Sequence, residues 1–237
     1  MSKSPSVASK QISTAPPPLL KIVILGDGNV GKSSLMTRYV RNEFDSRCAH
    51  TVGVEFLRKE VTLPTGERFS LQIWDTAGQE RFRCLQRPFY RGTDICMLVF
   101  SVDDKKSLEN LTSWMKEFQR YAEVDMARFP FVIIGNKVDM DEERRQVSPD
   151  EAKLFCQQLQ QTIFPSVSSP PPMPYPYLET SAKDRLNVDE AFTAAVSYMK
   201  ELRSLVSPNS NNGPGGVIKL EPVNLRKVVK KGAKPCC

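Results

Sequence analysis

The sequence has few of the residues from which metal and disulfide sites are built. It contains one histidine, His50, and six cysteines among 237 residues. No two cysteines form a CxxC pair, so we do not expect a structural zinc site. No apolar run approaches the ~18 residues that a membrane-spanning helix needs. The opening residues carry no secretory signal, and Ser2 stands where N-myristoylation requires glycine. We therefore expect a protein of the cytosol or the nucleus, where thiols stay reduced.

The net charge of +6 is concentrated near one end of the sequence. Nucleic-acid-binding domains usually carry their basic excess on a folded surface, so no nucleic-acid partner is expected. A basic segment beside the adjacent thiols of Cys236 and Cys237 favours an anionic membrane surface instead. By itself the thiol pair leaves disulfide, metal and covalent attachment open. From residue 219 onward the only acidic residue is Glu221, and the basic residues are Lys219, Arg226, Lys227, Lys230, Lys231 and Lys234.

The middle of the sequence alternates between strand and helix patterns. The short apolar runs "LKIVIL", "CMLVFS" and "FPFVIIG" are typical of buried parallel strands. The segment "VEFLRKEVTLPTGERFSLQIW" predicts a hairpin, with Trp74 on the face opposite Phe69, Leu71 and Ile73. The pattern predicts a doubly wound α/β domain with one antiparallel edge strand. Helical spacing relates two sets of apolar residues: Leu108, Leu111, Met115, Phe118 and Ala122, and Val188, Ala191, Ala195 and Met199.

Composition divides the chain into three predicted parts. Residues 1–18 are rich in serine and proline and are expected to be disordered. The folded domain is predicted over 19–205, with a proline-rich insert at 164–177 that we expect to be an extended surface loop. The insert is either a tolerated insertion or a ligand for a proline-reading domain. Residues 206–237 are predicted to form a flexible tail.

The segment "GDGNVGKSS" carries the strongest local signal. It matches G-x-x-x-x-G-K-[ST], follows the strand pattern "KIVIL" and opens a helical pattern. Glycines let backbone N–H groups curl around phosphate oxygens, and a helix N-terminus adds positive potential. The lysine neutralises terminal phosphates, and the next serine hydroxyl ligates Mg²⁺. We therefore predict phosphate contacts from Gly28, Asn29, Val30, Gly31, Lys32, Ser33 and Ser34.

Two later segments predict the base. "NKVD" (136–139) follows a predicted strand, and Asp139 can accept two hydrogen bonds from guanine N1–H and the exocyclic amine. Adenine offers no such donor pair, which argues against an ATP-using P-loop kinase. "TSAK" (180–183) supplies the Ala182 N–H to guanine O6, and Phe44 is a candidate to stack on the base. The predicted base contacts are Phe44, Asn136, Lys137, Asp139, Ser181, Ala182 and Lys183.

The segment "WDTAGQERF" (74–82) predicts a switch that responds to the terminal phosphate. Asp75, at a strand end, is placed to hold Mg²⁺ through a water, and Gly78 to present its N–H to a γ-phosphate. Gln79 is the predicted catalytic residue, orienting the attacking water. Thr51 in "HTVGVEF" is placed to close over Mg²⁺. The predicted metal residues are thus Ser33, Thr51 and Asp75.

Together with these motifs, residues 20–203 resemble a small GTPase of the Ras superfamily, and specifically of the Rab family. The Rab-like stretches are "VGVEF", "LQIWDTAGQERF" and "FYRGTD". The stretches "FSVDD", "EFQRYAEV" and "RRQVS" are similar to its late-endosomal Rab nine branch. The resemblance implies a P-loop NTPase fold of the small G-protein type, with a six-stranded, mostly parallel sheet and helices on both faces. It also implies bound GTP or GDP with Mg²⁺, and slow GTP hydrolysis.

The resemblance further implies a regulatory cycle and its partners. GTP would hold switch I (about 42–53) and switch II (about 75–90), and a GTPase-activating protein would supply an arginine. Effectors would read Phe56, Trp74 and Phe89. An exchange factor, a Rab escort protein and a GDP-dissociation inhibitor are also implied, and the protein is expected to be a monomer. Geranylgeranyl groups on Cys236 and Cys237 would attach it to the cytoplasmic face of late-endosomal membranes, with trans-Golgi as a second compartment, for vesicle transport between the two.

Three residues depart from the family pattern and keep alternatives open. Asn29 stands where relatives often have glycine, and Cys48 and Ala49 are smaller than the usual switch I residues. These departures leave open a hydrolysis-poor GTP-binding scaffold that recruits effectors to membranes. A growth-signalling GTPase of the Ras branch is a second alternative, disfavoured by "VGVEF" and by the Cys-Cys pair.

Overall fold

A computed structural model describes residues 16–46, 51, 53–78, 83–163 and 173–206. The strands are β1 Leu19–Leu25, β2 Val54–Thr62, β3 Arg68–Thr76, β4 Ile95–Ser101, β5 Phe131–Asn136 and β6 Tyr177–Thr180. The helices are α1 Lys32–Arg41, α2 Arg83–Tyr90, α3 Lys105–Glu109, α4 Leu111–Ala122, α5 Pro149–Ile163 and α6 Val188–Val206, with 3₁₀ turns at Met126–Arg128 and Glu142–Arg144.

The six strands form one sheet in the order β2-β3-β1-β4-β5-β6. β2 runs antiparallel to β3, and every other neighbouring pair is parallel. Every residue of β4 and β5 is buried, as expected of central strands covered on both faces. The edge strand β2 keeps charged side chains exposed, which discourages pairing with another chain. The predicted α/β fold with one antiparallel edge strand is confirmed.

Helices cover both faces of this sheet. On one face α1 packs against α6, and the rings of Tyr39 and Phe192 stack with centroids 3.9 Å apart. On the other face α2 and α4 pack together, with Phe118 of α4 contacting both Tyr90 and Phe131. Parallel strands therefore end at one edge of the sheet between two helical layers, where ligands bind in folds of this kind.

The apolar pattern over 108–122 belongs to two helices rather than one. The carboxylate of Asp104 accepts hydrogen bonds from the N–H groups of Lys106 and Ser107 and so begins α3. The helical path stops at Asn110, and α4 begins at the next residue. The apolar spacing continues across this break because both helices bury the same side, so periodicity alone could not locate it.

The proline-rich insert is only partly within the described residues, since 164–172 lie outside them. Tyr175 is buried against Phe131, with ring centroids 5.5 Å apart, and Tyr177 begins β6. The prediction of a surface loop is therefore wrong for these last residues, because two large aromatic side chains gain more from packing than from exposure. Within the described part of the chain, no helix is both long and apolar enough to cross a membrane.

Candidate guanine-nucleotide site

The phosphate loop runs from the end of β1 to the start of α1. Asn29 takes a φ of 63°, a left-handed conformation that asparagine tolerates better than most residues, and its side chain is exposed. Gly31 has a φ of 92°, and a β-carbon there would lie 2.3 Å from Asn136 Nδ2. The loop therefore packs directly on the residue that opens "NKVD", and a side chain at position 31 would separate them.

Lys32 folds back over this loop. Its Nζ donates to the carbonyl oxygens of Gly26 and Asp27 at 2.8 and 2.6 Å, and the residue is 5% exposed. Burial lowers the pKa of Lys32 to about 8, while the carboxylates of Asp75 and Asp27 oppose that shift. The position thus provides a cation at the centre of the loop, where phosphate oxygens would lie.

Three side-chain oxygens meet beside the start of α1. Ser33 Oγ lies 2.6 Å from Thr51 Oγ1 and donates to Asp75 Oδ2 at 2.5 Å, and Thr51 Oγ1 lies 3.3 Å from the same carboxylate. Asp75 is fully buried, its Oδ1 has no hydrogen-bond partner among the described residues, and burial raises its pKa. A buried carboxylate with an unpaired oxygen, together with two hydroxyls, suits a hard cation that prefers oxygen ligands. The predicted metal residues therefore lie together and fit Mg²⁺.

Switch II begins against the phosphate loop. A β-carbon on Gly78 would lie 2.3 Å from the carbonyl of Asp27 and from the backbone nitrogen of Gly28. Only glycine allows the backbone to approach so closely. Gly78 is thus placed beside the predicted phosphates, whereas Gln79 and the rest of 79–82 lie outside the described residues.

Asn136 joins the phosphate side of the site to the base side. It is 1% exposed, and its Nδ2 donates to the Val30 carbonyl at 2.9 Å. Its Oδ1 accepts from Thr180 Oγ1 at 3.1 Å and from the Ala182 N–H at 3.3 Å. One amide side chain therefore fixes the phosphate loop, the end of β6 and the predicted guanine-binding loop relative to one another.

The base-reading carboxylate is held by two neighbours. Ser181 Oγ donates to Asp139 Oδ1 at 2.6 Å, and Lys183 Nζ lies 3.6 Å from Asp139 Oδ2. Ser181 is fully buried, whereas the side chain of Lys183 is 60% exposed. Lys137 adopts a φ of 70° and places its Nζ 3.9 Å from Asp103. The predicted base residues from "NKVD" and "TSAK" therefore form one cluster at the ends of β5 and β6.

Phe44 is 37% exposed, so it does not belong to the core, and Arg38 links it to this cluster. The guanidinium carbon of Arg38 lies 5.7 Å from the centre of the Phe44 ring. An exposed aromatic ring next to the base residues is available for stacking.

Two side chains that hold the phosphate loop belong to none of the motifs found in the sequence. Asp27 accepts from Asn110 Nδ2 at 2.6 Å and from Trp114 Nε1 at 2.7 Å. Asn110 and Trp114 are four residues apart and so lie on one side of the chain at the start of α4. Their spacing was visible in the sequence. Asp27, however, occupies a variable position of the phosphate motif, and no local pattern connects it to Asn110 or Trp114, which follow it by 83 and 87 positions.

The predicted effector residues also lie together. Phe56 stacks on Trp74 with centroids 4.9 Å apart, and Trp74 lies 5.2 Å from Phe89. Lys21 Nζ lies 5.0 Å above the Trp74 ring, and Phe56 is 47% exposed. Trp74 is thus covered by neighbours from β1, β2 and α2.

Comparison with known proteins places the chain in a family. The model of the Ras family matches residues 21–201, and the chain belongs to that family. The chain is 55% identical over 179 residues to the human "Ras-related protein Rab-9B", a match that covers 75% of this chain and 81% of the relative. It is 49% identical over 220 residues to rat "Ras-related protein Rab-9A", covering 92% and 97%. It is 41% identical over 219 residues to "Ypt/Rab-type GTPase avaA" of Emericella nidulans, covering 92% and 97%.

These relatives make the chain a Rab-type small GTPase, a GTP-binding switch in membrane trafficking. It binds GTP and GDP with Mg²⁺ and hydrolyses GTP to GDP. Effectors, an exchange factor, an activating protein and a GDP-dissociation inhibitor act on proteins of this kind, which geranylgeranyl groups anchor to membranes. The predictions of family, fold, reaction and cofactors are confirmed.

Proposed function

We propose that this chain regulates vesicle transport from late endosomes to the trans-Golgi, using the two-sided site described above. The similarity to Rab-9A and Rab-9B along most of the chain supports that branch. The observation that carries the proposed site is Asn136, whose amide links the phosphate loop to the Ala182 N–H. A ligand with phosphates at one end and a purine at the other matches this arrangement.

On the phosphate side, Gly28 through Ser34 supply backbone N–H groups and Lys32 supplies the charge that faces the terminal phosphates. Ser33, Thr51 and Asp75 would hold Mg²⁺, which when bound neutralises charge on the phosphate oxygens. Gly78, whose backbone already contacts the loop, presents its N–H to the γ-phosphate. Loss of that phosphate removes what Thr51 and Gly78 bind, so switch I and switch II are released.

On the base side, Asp139 accepts from the guanine N1–H and amine, and the Ser181 hydroxyl orients the carboxylate. The Ala182 N–H, whose 3.3 Å bond to Asn136 is long, turns to guanine O6. Phe44 stacks on one face of the base, and the stems of Lys137 and Lys183 flank it. Gln79 orients the water that attacks the γ-phosphorus, a role that rests on the family resemblance.

The aromatic set Phe56, Trp74 and Phe89, in which Phe56 is exposed and the other two rings are partly buried, is the proposed effector surface. These rings join the edge hairpin to α2, which forms the second half of switch II. A change in α2 would alter how Phe89 meets Trp74, so effectors that contact all three rings would distinguish the GTP form from the GDP form.

Cys236 and Cys237 are the proposed lipid attachment sites, with the folded domain over 19–205 and a tail over 206–237. Two lipid chains anchor stably where one binds marginally, and nearby basic residues add on the order of 1 kcal/mol each at an anionic leaflet. A tagged full chain should therefore lie on late-endosomal membranes, and a Cys236→Ser, Cys237→Ser variant should be cytosolic. A doubly substituted chain that stays on membranes would contradict the assignment.

The hydrolysis assignment is tested by single-turnover GTP cleavage in the full chain, with Gln79→Leu as the comparison. We expect slow cleavage that an activating protein accelerates by about 10³- to 10⁵-fold, and almost none in the variant. A wild-type rate as slow as that of Gln79→Leu, with and without the activating protein, would instead favour the scaffold alternative. Asn29 adopts a left-handed backbone conformation, and its side chain is exposed. Neither observation supports the scaffold alternative.

A further inference from the structure

We propose that Arg38 of α1 is a positioning residue for guanine, and that it sets how long the nucleotide stays bound. The inference rests on the proposed base site, because Arg38 acts on the loop of Ser181, Ala182 and Lys183. We call residues 181–183 the base loop. Arg38 belongs to none of the motifs that predicted the site.

One side chain reaches two successive carbonyl groups of the base loop. Arg38 Nε donates to the Ala182 oxygen at 2.8 Å, and Nη2 donates to the Lys183 oxygen at 3.0 Å. These atoms lie on one edge of a planar guanidinium group, so the two bonds fix both the position and the direction of the loop. The peptide groups on either side of Lys183 are thereby oriented, and the first of them is joined directly to Ala182, whose own N–H is assigned to guanine O6.

The other end of the same group holds the chain that leads to switch I. Arg38 Nη1 donates to the Asn42 carbonyl at 2.8 Å. Asn42 ends α1 in a left-handed conformation with a φ of 60°, and its N–H returns to the Arg38 carbonyl. The guanidinium carbon lies 5.7 Å from the centre of the Phe44 ring. Arg38 therefore connects the base loop to the aromatic ring proposed to stack on the base.

This arrangement makes Arg38 the common support for two proposed contacts with guanine, the hydrogen bond to O6 and the stacking of Phe44. Without it, the base loop keeps the bonds of Ser181 to Asp139 and to the N–H of Asp184. Ala182 and Lys183, however, lose a charged donor, and Phe44 loses the cation beside it. Asp139 would still recognise guanine, while the contacts with O6 and with the Phe44 ring loosen. Loss of Arg38 should therefore accelerate GDP release strongly and reduce the preference for guanine over adenine nucleotides only a little.

The test compares release of GDP from the full chain carrying Arg38→Met, Arg38→Lys or Arg41→Met. Arg41 is the matched control, because it lies on the same helix and, among the described residues, its side chain makes only a long 3.9 Å ion pair with Glu55 at the surface. We expect about tenfold faster release for Arg38→Met, an intermediate rate for Arg38→Lys and no change for Arg41→Met. Release from Arg38→Met at the Arg41→Met rate overturns the proposal. If Arg38→Met does not fold, Arg38→Lys decides by the same comparison.

A purely structural role is distinguished by chelating Mg²⁺. Chelation accelerates release through the phosphate side, so a residue that acts on the base side should leave the factor of acceleration unchanged. If Arg38→Met changes the factor by which chelation accelerates GDP release, and lowers the unfolding midpoint in proportion, then Arg38 only stabilises the fold.

Asp139→Asn separates this inference from the proposed base site. If Asp139→Asn alters the preference for GDP over ADP but Arg38→Met releases GDP normally, only the inference fails. If neither has an effect, the base site itself is misplaced.

Discussion

The phosphate side and the base side of the site are built in different ways. Most of the phosphate side comes from the consecutive residues 26–34, and its cation, Lys32, is 5% exposed. The base side gathers three segments far apart in the chain, and its lysine, Lys183, has a side chain that is 60% exposed. The first side is a strand-to-helix turn with its own geometry, and the second depends on side chains that tie loops together.

This difference predicts how strongly each side responds to substitution. Interactions of a buried charge are poorly screened, so losing one on the phosphate side should be severe. On the base side the carboxylate of Asp139 has several supports, and removing any single one should cost less. The following substitutions are ordered from the largest expected effect to the smallest.

Lys32→Met should weaken GDP binding on the order of 1000-fold, because two charge-assisted contacts with phosphate are lost. Equilibrium binding to the full chain measures this, with Lys153→Met as a control at an exposed lysine of α5. A loss of GDP affinity below about tenfold would mean that the buried ammonium group does not face the phosphates. Substitutions on the phosphate side would then be no more severe than those on the base side.

Asp139→Asn should weaken GDP binding on the order of 50-fold, because the side chain loses its charge and one of its two acceptor oxygens, and the amide N–H₂ faces the amine of guanine. The asparagine amide can instead donate to the C2 carbonyl of xanthine, so the variant should prefer xanthosine diphosphate to GDP. Competition between the two nucleotides measures the reversal. An unchanged preference would show that another residue reads the base.

Trp114→Phe should release GDP about fivefold faster, because Asp27 loses one hydrogen-bond donor while most of the buried ring volume is kept. Trp74→Phe is the matched control, since Trp74 Nε1 is buried without a hydrogen-bond partner among the described residues. Equal rates of GDP release in the two variants would mean that Trp114 of α4 does not hold the phosphate loop.

Asn29→Gly should change GDP release less than about twofold, the smallest effect expected. The backbone at this position already has a φ of 63°, which glycine adopts freely, and the asparagine side chain is exposed. Exchange kinetics and the unfolding midpoint measure this. A large slowing of exchange would mean that Asn29 is itself a regulator of nucleotide release.

Contiguous patterns predicted much of the fold and of the site. Residues adjacent in the sequence determine the buried strands, the edge hairpin and the phosphate loop, so a local pattern is enough to predict them. "NKVD" and "TSAK" could be assigned because each follows a strand, and parallel strands end at the same edge of a sheet.

Features that depend on distant contacts were not predictable in this way. The bonds from Arg38 to Ala182 and from Trp114 to Asp27 span 144 and 87 residues, and neither belongs to a local motif. The break at Asn110 is hidden because α3 and α4 bury the same side. Tyr175 is buried although its neighbours are prolines, since packing against Phe131 outweighs local composition.

The most direct test of a site with a phosphate side and a guanine side is the identity of the nucleotide that the purified full chain carries. The protein would be denatured, and the released small molecules separated and quantified by chromatography. We predict one guanine nucleotide, GDP or GTP, per chain. A folded chain that releases an adenine nucleotide, or no nucleotide at all, would contradict it.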